Sequence, residues 1–243
     1  VRPRRGPDPG ELDPAGGGRW RWNSARLSFI EAPSSAGTAL TRSFEGPDGG
    51  PLFDLTIRAA VLDKSLSEFL TDKESMLFAD DGSGYSVRLS AGRAPALTYL
   101  LLHEATHVVD RTFGVLTEMR PFRALWVDYR DLAAPYATGP MGVTTYRRGQ
   151  PIPLAESPEL YTALGASPFV SLYATASAGE DLAELAAWSH LSRLNVPLTV
   201  EVRDATGRAA VTLEPLKSPA VQARFAVADA VLARASIKPS RTP

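Results

Sequence analysis

Residues 99–110 read YLLLHEATHVVD and carry two of the chain's three histidines, four residues apart. Apolar residues flank the polar group on both sides, so the segment reads as a helix that buries His103, Glu104 and His107 in part. On a helix the two imidazoles lie one turn apart on one face and can reach a single metal ion. Glu104 sits beside the first of them, close enough to act on water without binding the metal. The alternative is an ordinary core helix with polar residues on it. Buried imidazoles and a buried carboxylate then still need partners, and a metal supplies them.

A zinc hydrolase takes a third protein ligand and leaves one position open. A metzincin would have a histidine at position 113, where this chain has Phe113. His190 is the remaining histidine, and the carboxylates of a second helix, AGEDLAELAAWSHLSRL from Ala178, are better candidates. Glu180 and Glu184 share one face of it at i and i+4. Glu180 is expected to be the third ligand, with Asp181 as the runner-up. Glu184, a turn further on, is expected to accept the other ring N–H of a ligating histidine. The competing explanation is a helix start in which Ser177 and Glu180 form a capping box and Asp181 complements the dipole. Asp110, one turn past His107, either orients a neighbour of the metal or caps the helix end.

HEATH followed by YATASAGEDLAE resembles the gluzincin metallopeptidases, and in particular the catalytic domain of anthrax lethal factor. Similar EDxAE helices occur in little-characterised bacterial zinc-peptidase-like proteins. The resemblance covers two short motifs and their order. It implies a zincin-like fold, a Zn2+ cofactor, and a tyrosine seven positions before the ligand glutamate, which here is Tyr173. It further implies that Tyr173 donates a hydrogen bond to the oxyanion of the reaction. The expected function is a zinc-dependent endopeptidase with Glu104 as general base, acting on a peptide or protein. The alternatives are a zinc hydrolase of another substrate and a non-catalytic zinc-binding scaffold.

The 243 residues suffice for one large domain, and 44% hydrophobic with 22% charged residues is ordinary globular composition. A net charge of −1 argues against a large nucleic-acid surface, and no run is long enough for a membrane span. The absence of cysteine excludes disulfides and thiolate zinc sites. The chain begins at Val1, so a processed, secreted or cell-envelope form is expected, with a signal or anchor segment removed upstream. Abundant Arg, Ala, Gly and Pro suggest a GC-rich bacterial source. The sequence says nothing of oligomeric state.

Residues 1–19, rich in Pro, Gly and charge, read as a disordered tail or linker, and 20–243 as one two-lobed α+β domain. Trp20, Trp22, Leu27 and Phe29 alternate with polar residues as in a strand. PLFDLTIRAAVLD reads as another strand, KSLSEFLTDKES as a helix burying Leu66, Phe69 and Leu70, and MLFADDGSGYSVRLS as two strands around a turn. These make a small N-terminal mixed sheet against the active helix. Residues 76–79 or 85–89 are expected to form an edge beside the cleft that pairs with an extended peptide. The active helix is expected from Pro95 to Phe113, with Gly114 as its stop. The stretch after Pro121 is expected to be helical, followed by a long Pro/Gly-rich loop. A hairpin around ATG and a helix capped by Ser218 and Pro219 close the chain.

Overall fold

The structure, a computed structural model, describes residues 11–12, 20–21, 24–33, 37–47, 49–118 and 124–235. Within the expected tail, Glu11–Leu12 (β1) pairs antiparallel with Trp20–Arg21 (β2). The rest of 1–19, and Trp22, lie outside the described residues. Ser24–Ile30 (β3), Ala39–Glu45 (β4) and Pro51–Arg58 (β5) form a sheet ordered β3-β5-β4. β3 runs parallel and β4 antiparallel to the central β5. The alternation of PLFDLTIR puts Phe53, Leu55 and Ile57 on one buried face, and Phe53 and Leu55 pack against Val108.

Leu66–Ser75 (α1) starts at a full capping box: Ser65 Oγ accepts from the Glu68 N–H, and the Glu68 carboxylate accepts from the Ser65 N–H. Its buried side carries Leu66, Phe69 and Leu70, as the spacing predicts. Phe78–Ala79 (β6) and Ser86–Ser90 (β7) follow, but they do not pair with each other. The carboxylates of Asp80 and Asp81 bend the turn by taking the N–H groups of Gly82 and Ser83, and Asp81 also takes that of Ala155. β6 therefore meets Ile152–Pro153 (β8) in parallel, while β7 joins Thr199–Arg203 (β9), which pairs with Ala209–Leu213 (β10). The other edge of β7 is taken up by α1. Thr71 Oγ1 bonds both the N–H and the C=O of Leu89, and Ser67 Oγ accepts from the Ala91 N–H.

Ala96–Phe113 (α2) is the HExxH helix. Pro95 is its N-cap in extended conformation rather than its first helical residue, and Gly114 ends it at φ 61°. Val115–Glu118 (α3) continues the chain. The helix expected after Pro121 does not form among the described residues. Residues 119–123 are not described, and Trp126 and Leu132 form a β-bridge around a turn. There the Asp128 carboxylate takes the N–H groups of Arg130 and Asp131, an alternative to helical bonding. Ser157–Gly165 (α4) interrupts what reads in sequence as loop.

Ala178–Arg193 (α5) is buried on nearly every side and packs against α2. The terminal helix is split into Pro219–Gln222 (α6) and Phe225–Ala235 (α7). Arg224, at the break, reaches Asp181 on α5 and the carbonyl of Pro168. Ser218 is the N-cap of α6 without a side-chain cap bond. The fold is mixed α+β: α2 lies between the β3-β5-β4 sheet and α5, and α7 packs on both helices. No described helix is long and apolar enough to cross a membrane.

Candidate metal centre

The centre forms where α2 crosses the first turn of α5. Helical spacing stacks His103 over His107, with ring centroids 5.0 Å apart. The two Nε2 atoms are 3.2 Å apart, and Glu180 Oε2 lies 2.9 Å from the first and 3.5 Å from the second. Ligands of a tetrahedral zinc at about 2.0–2.1 Å stand roughly 3.3 Å from one another. Two imidazole nitrogens and one carboxylate oxygen at those separations fit such an ion in donor type, number and spacing.

The start of α5 decides between the two roles open to Glu180. Ser177 Oγ accepts from the Glu180 N–H at 3.2 Å, which is half a capping box. The other half is missing in form, because the Glu180 carboxylate reaches across to His103 instead. Its pKa is driven well below the carboxylate range. Burial opposes this, but hydrogen bonds and charge from His103 and His107 outweigh burial.

Glu184 takes the far side of His103, with Oε1 3.0 Å from Nδ1. A carboxylate only accepts, so Nδ1 carries a proton in that contact and Nε2 is the nitrogen directed at Glu180 and His107. Tyr99 Oη also donates to Oε1, while Ser171 Oγ donates to Oε2 at 2.6 Å and the Trp188 indole N–H at 3.3 Å. Burial pushes the Glu184 pKa up, yet the His103 bond and the positive charge of Lys73 pull it down to about 2. For His103, burial disfavours the cation, but both glutamates together raise its pKa to about 9.

Glu104 is 8% exposed and accepts a hydrogen bond from the hydroxyl of Thr41 on β4. Tyr173 lies in a short 3-10 turn just before α5, with its ring centroid 5.8 Å from that of His103. Its hydroxyl is less acidic than a free phenol, first through burial and then through the charges of Glu180 and Glu184. Lys73 Nζ stands 3.1 Å from the centroid of the Tyr173 ring. Burial favours the neutral form of Lys73, against the pull of Glu184, Glu180, Glu74 and Glu104.

Asp110 is not part of this cluster. Its carboxylate accepts from the Leu116 N–H at 2.8 Å and ties α3 to the end of α2. Asp181, the runner-up ligand, points elsewhere and receives the Trp126 indole N–H at 3.0 Å and Arg224 at 2.6 Å. Among the described residues, His103, His107 and Glu180 are the one group of three or more His, Asp or Glu side chains that lie close enough together to hold a metal ion. Sequence reasoning missed Thr41, Lys73, Tyr99, Ser171 and Trp188. Tyr99 and Trp188 carried a signal, each four residues from a site residue on its own helix; Thr41 and Lys73 arrive from other elements and carried none. Set against family models, curated proteins and solved structures, the chain matches none.

Proposed function

We propose that the chain is a zinc-dependent metallopeptidase of gluzincin type with a zincin-like fold. The observation that carries the reading is the convergence of His103 Nε2, His107 Nε2 and Glu180 Oε2, with Glu184 fixing the tautomer of His103. A zinc ion held by these three residues would supply a Lewis acid that polarises a carbonyl and acidifies water. Glu104 takes the proton of the attacking water and passes it to the leaving amine. Tyr173 donates a hydrogen bond from its hydroxyl to the developing oxyanion.

The substrate reading rests on β4. The Arg58 N–H bonds the Thr38 carbonyl, so alternation along the antiparallel pair leaves the backbone groups of Ala39, Thr41 and Ser43 directed away from β5. On this edge Arg111 takes the Thr41 carbonyl and the Thr41 hydroxyl meets Glu104, so the strand adjoins the candidate site, which favours β4 over β6 or β7 as the one whose remaining outward backbone groups pair with an extended peptide.

The test pairs metal analysis with cleavage of a diverse peptide library. About one zinc per chain is expected, with cleavage lost by roughly 100- to 10,000-fold in Glu104→Ala and zinc retained. Bound zinc with equal inactivity of both proteins would replace this reading with a zinc-binding scaffold.

A further inference from the structure

We propose that Thr41 is a positioning residue for Glu104: its hydroxyl anchors one carboxylate oxygen of the base and leaves the other free to take the proton. The inference rests on the metallopeptidase reading and deepens it. Thr41 is the one buried residue of β4, with 7% exposure, on a strand whose other positions are open. Its position is fixed from three sides. Its register partner on β5 is Leu55, itself 1% exposed and packed with Val108 of α2. Its carbonyl accepts from Arg111 Nη1 at 2.8 Å, and its hydroxyl donates to Glu104 Oε2. Glu104 and Arg111 are seven residues apart and so lie on the same side of α2. One residue of the strand is thus pinned to the helix by both its backbone and its side chain.

A glutamate has three rotatable bonds, and a general base works only where its free oxygen faces the proton it removes. Packing alone at this site would be met by valine, which has the same shape as threonine. The hydroxyl is what the carboxylate needs, since a buried carboxylate oxygen without a donor is costly. Every residue that fixes Thr41 belongs to the sheet or to α2, so the bond is set by the fold rather than by a mobile loop.

A double-mutant cycle on the cobalt-substituted protein tests this without turnover, reading acetohydroxamate binding from the visible spectrum. Thr41→Val is expected to hold cobalt within about threefold of wild type and to weaken acetohydroxamate by roughly tenfold. Thr41→Ser should restore binding to within about threefold, since it keeps the donor. In a Glu104→Gln background, Thr41→Val should add less than about twofold. In peptide cleavage, Thr41→Val should lower kcat by roughly 10- to 100-fold with KM within about threefold. An equal loss in both backgrounds, or wild-type behaviour of Thr41→Val, overturns the role of Thr41 and leaves the metallopeptidase reading standing. A wild-type protein that takes no cobalt at the histidines overturns that reading, and the inference with it.

Discussion

The two helices of the site solve the same problem in opposite ways. α2 presents its polar residues at a spacing that announces their purpose: His103, Glu104 and His107 belong together by periodicity alone. α5 is enclosed on nearly all sides, and its carboxylates at 180, 181 and 184 acquire their roles from whichever element lies opposite. Glu180 and Asp181 are neighbours in sequence, yet about 100° of helical rotation sends one to His103 and the other to Trp126 and Arg224. A buried helix must pair each ionised group it carries, because an isolated buried charge is prohibitive. On such a helix an acid has two ways to be satisfied, chemistry or scaffolding, and the sequence does not distinguish them.

The largest expected effect separates those two acids. Glu180→Ala should lower zinc affinity by more than roughly 100-fold, measured by chelator competition, and should also cost the metal-free protein stability, since His103 and His107 lose their carboxylate partner. Asp181→Asn should leave the zinc site intact, keeping zinc affinity within about tenfold. It should destabilise the fold by about 3 kcal/mol in denaturant titration, because the counter-charge of a buried arginine contact is removed. Equal effects of the two substitutions on zinc would dissolve the comparison.

Glu184 stands between the two, since it meets the candidate metal centre through His103 and the rest of the fold through Tyr99, Ser171 and Trp188. Glu184→Gln should weaken zinc binding by roughly 10- to 100-fold. The pH dependence follows from the same contacts. With a pKa lowered to about 2, Glu184 contributes stability that is present above the ordinary carboxylate range and is lost as pH falls through 2. With a pKa raised to about 9, His103 contributes stability that is present below pH 6.5 and is lost as pH rises through 9. The metal-free protein should therefore gain most from this pair between about pH 4.5 and 6.5. Zinc has to displace the proton on His103, so its apparent affinity should rise by up to roughly tenfold per pH unit until about pH 9. A zinc affinity flat over that range would mean that His103 is already neutral in the metal-free protein.

Much of the fold was legible because its signals are local. The capping box at Ser65, the period of KSLSEFLTDKES, the alternation of PLFDLTIR and the Gly114 stop each state a conformation within a few residues. The pairing of His103 with His107 was legible for the same reason, with helix geometry doing the assembly, whereas Glu180 meets His103 across 77 residues of chain. What was not legible depends on distant partners. Strand pairing of β6 and β7 is decided by side-chain bonds from Asp81 to residue 155 and from Thr71 to residue 89. The absence of a helix at Trp126 reflects Asp128 bonding to its own backbone neighbours and the pull of Asp181, 55 residues away, on the indole. Thr41 reaches Glu104 across 63 residues of chain, and no spacing rule connects them.

The smallest effect tests whether the α5 rule extends to α1. Glu74, near the end of α1, is buried at 4% exposure, much as Asp181 and Glu184 of α5 are, but its direct partners are phenols: Tyr161 donates at 2.6 Å and Tyr146 at 3.5 Å. Two phenols stabilise the carboxylate less than the His103 ring and a nearby cation stabilise Glu184. Burial therefore dominates, and the pKa of Glu74 rises from 4.5 to about 7 against the pull of Tyr161 and of Lys73. A carboxyl raised in the folded state carries no penalty below pH 4.5, where both states are protonated. Between 4.5 and 7 the unfolded chain ionises first, so stability falls with rising pH, by about 3 kcal/mol in full above pH 7. Glu74→Gln keeps the shape and an acceptor for Tyr161 without the charge. It should be slightly less stable than wild type at pH 5 and more stable by about 1–2 kcal/mol at pH 8, read as a difference in denaturant midpoints. A difference that does not change with pH would show that Glu74 ionises as freely as Glu184, and that buried acids on α1 and α5 are held in the same way.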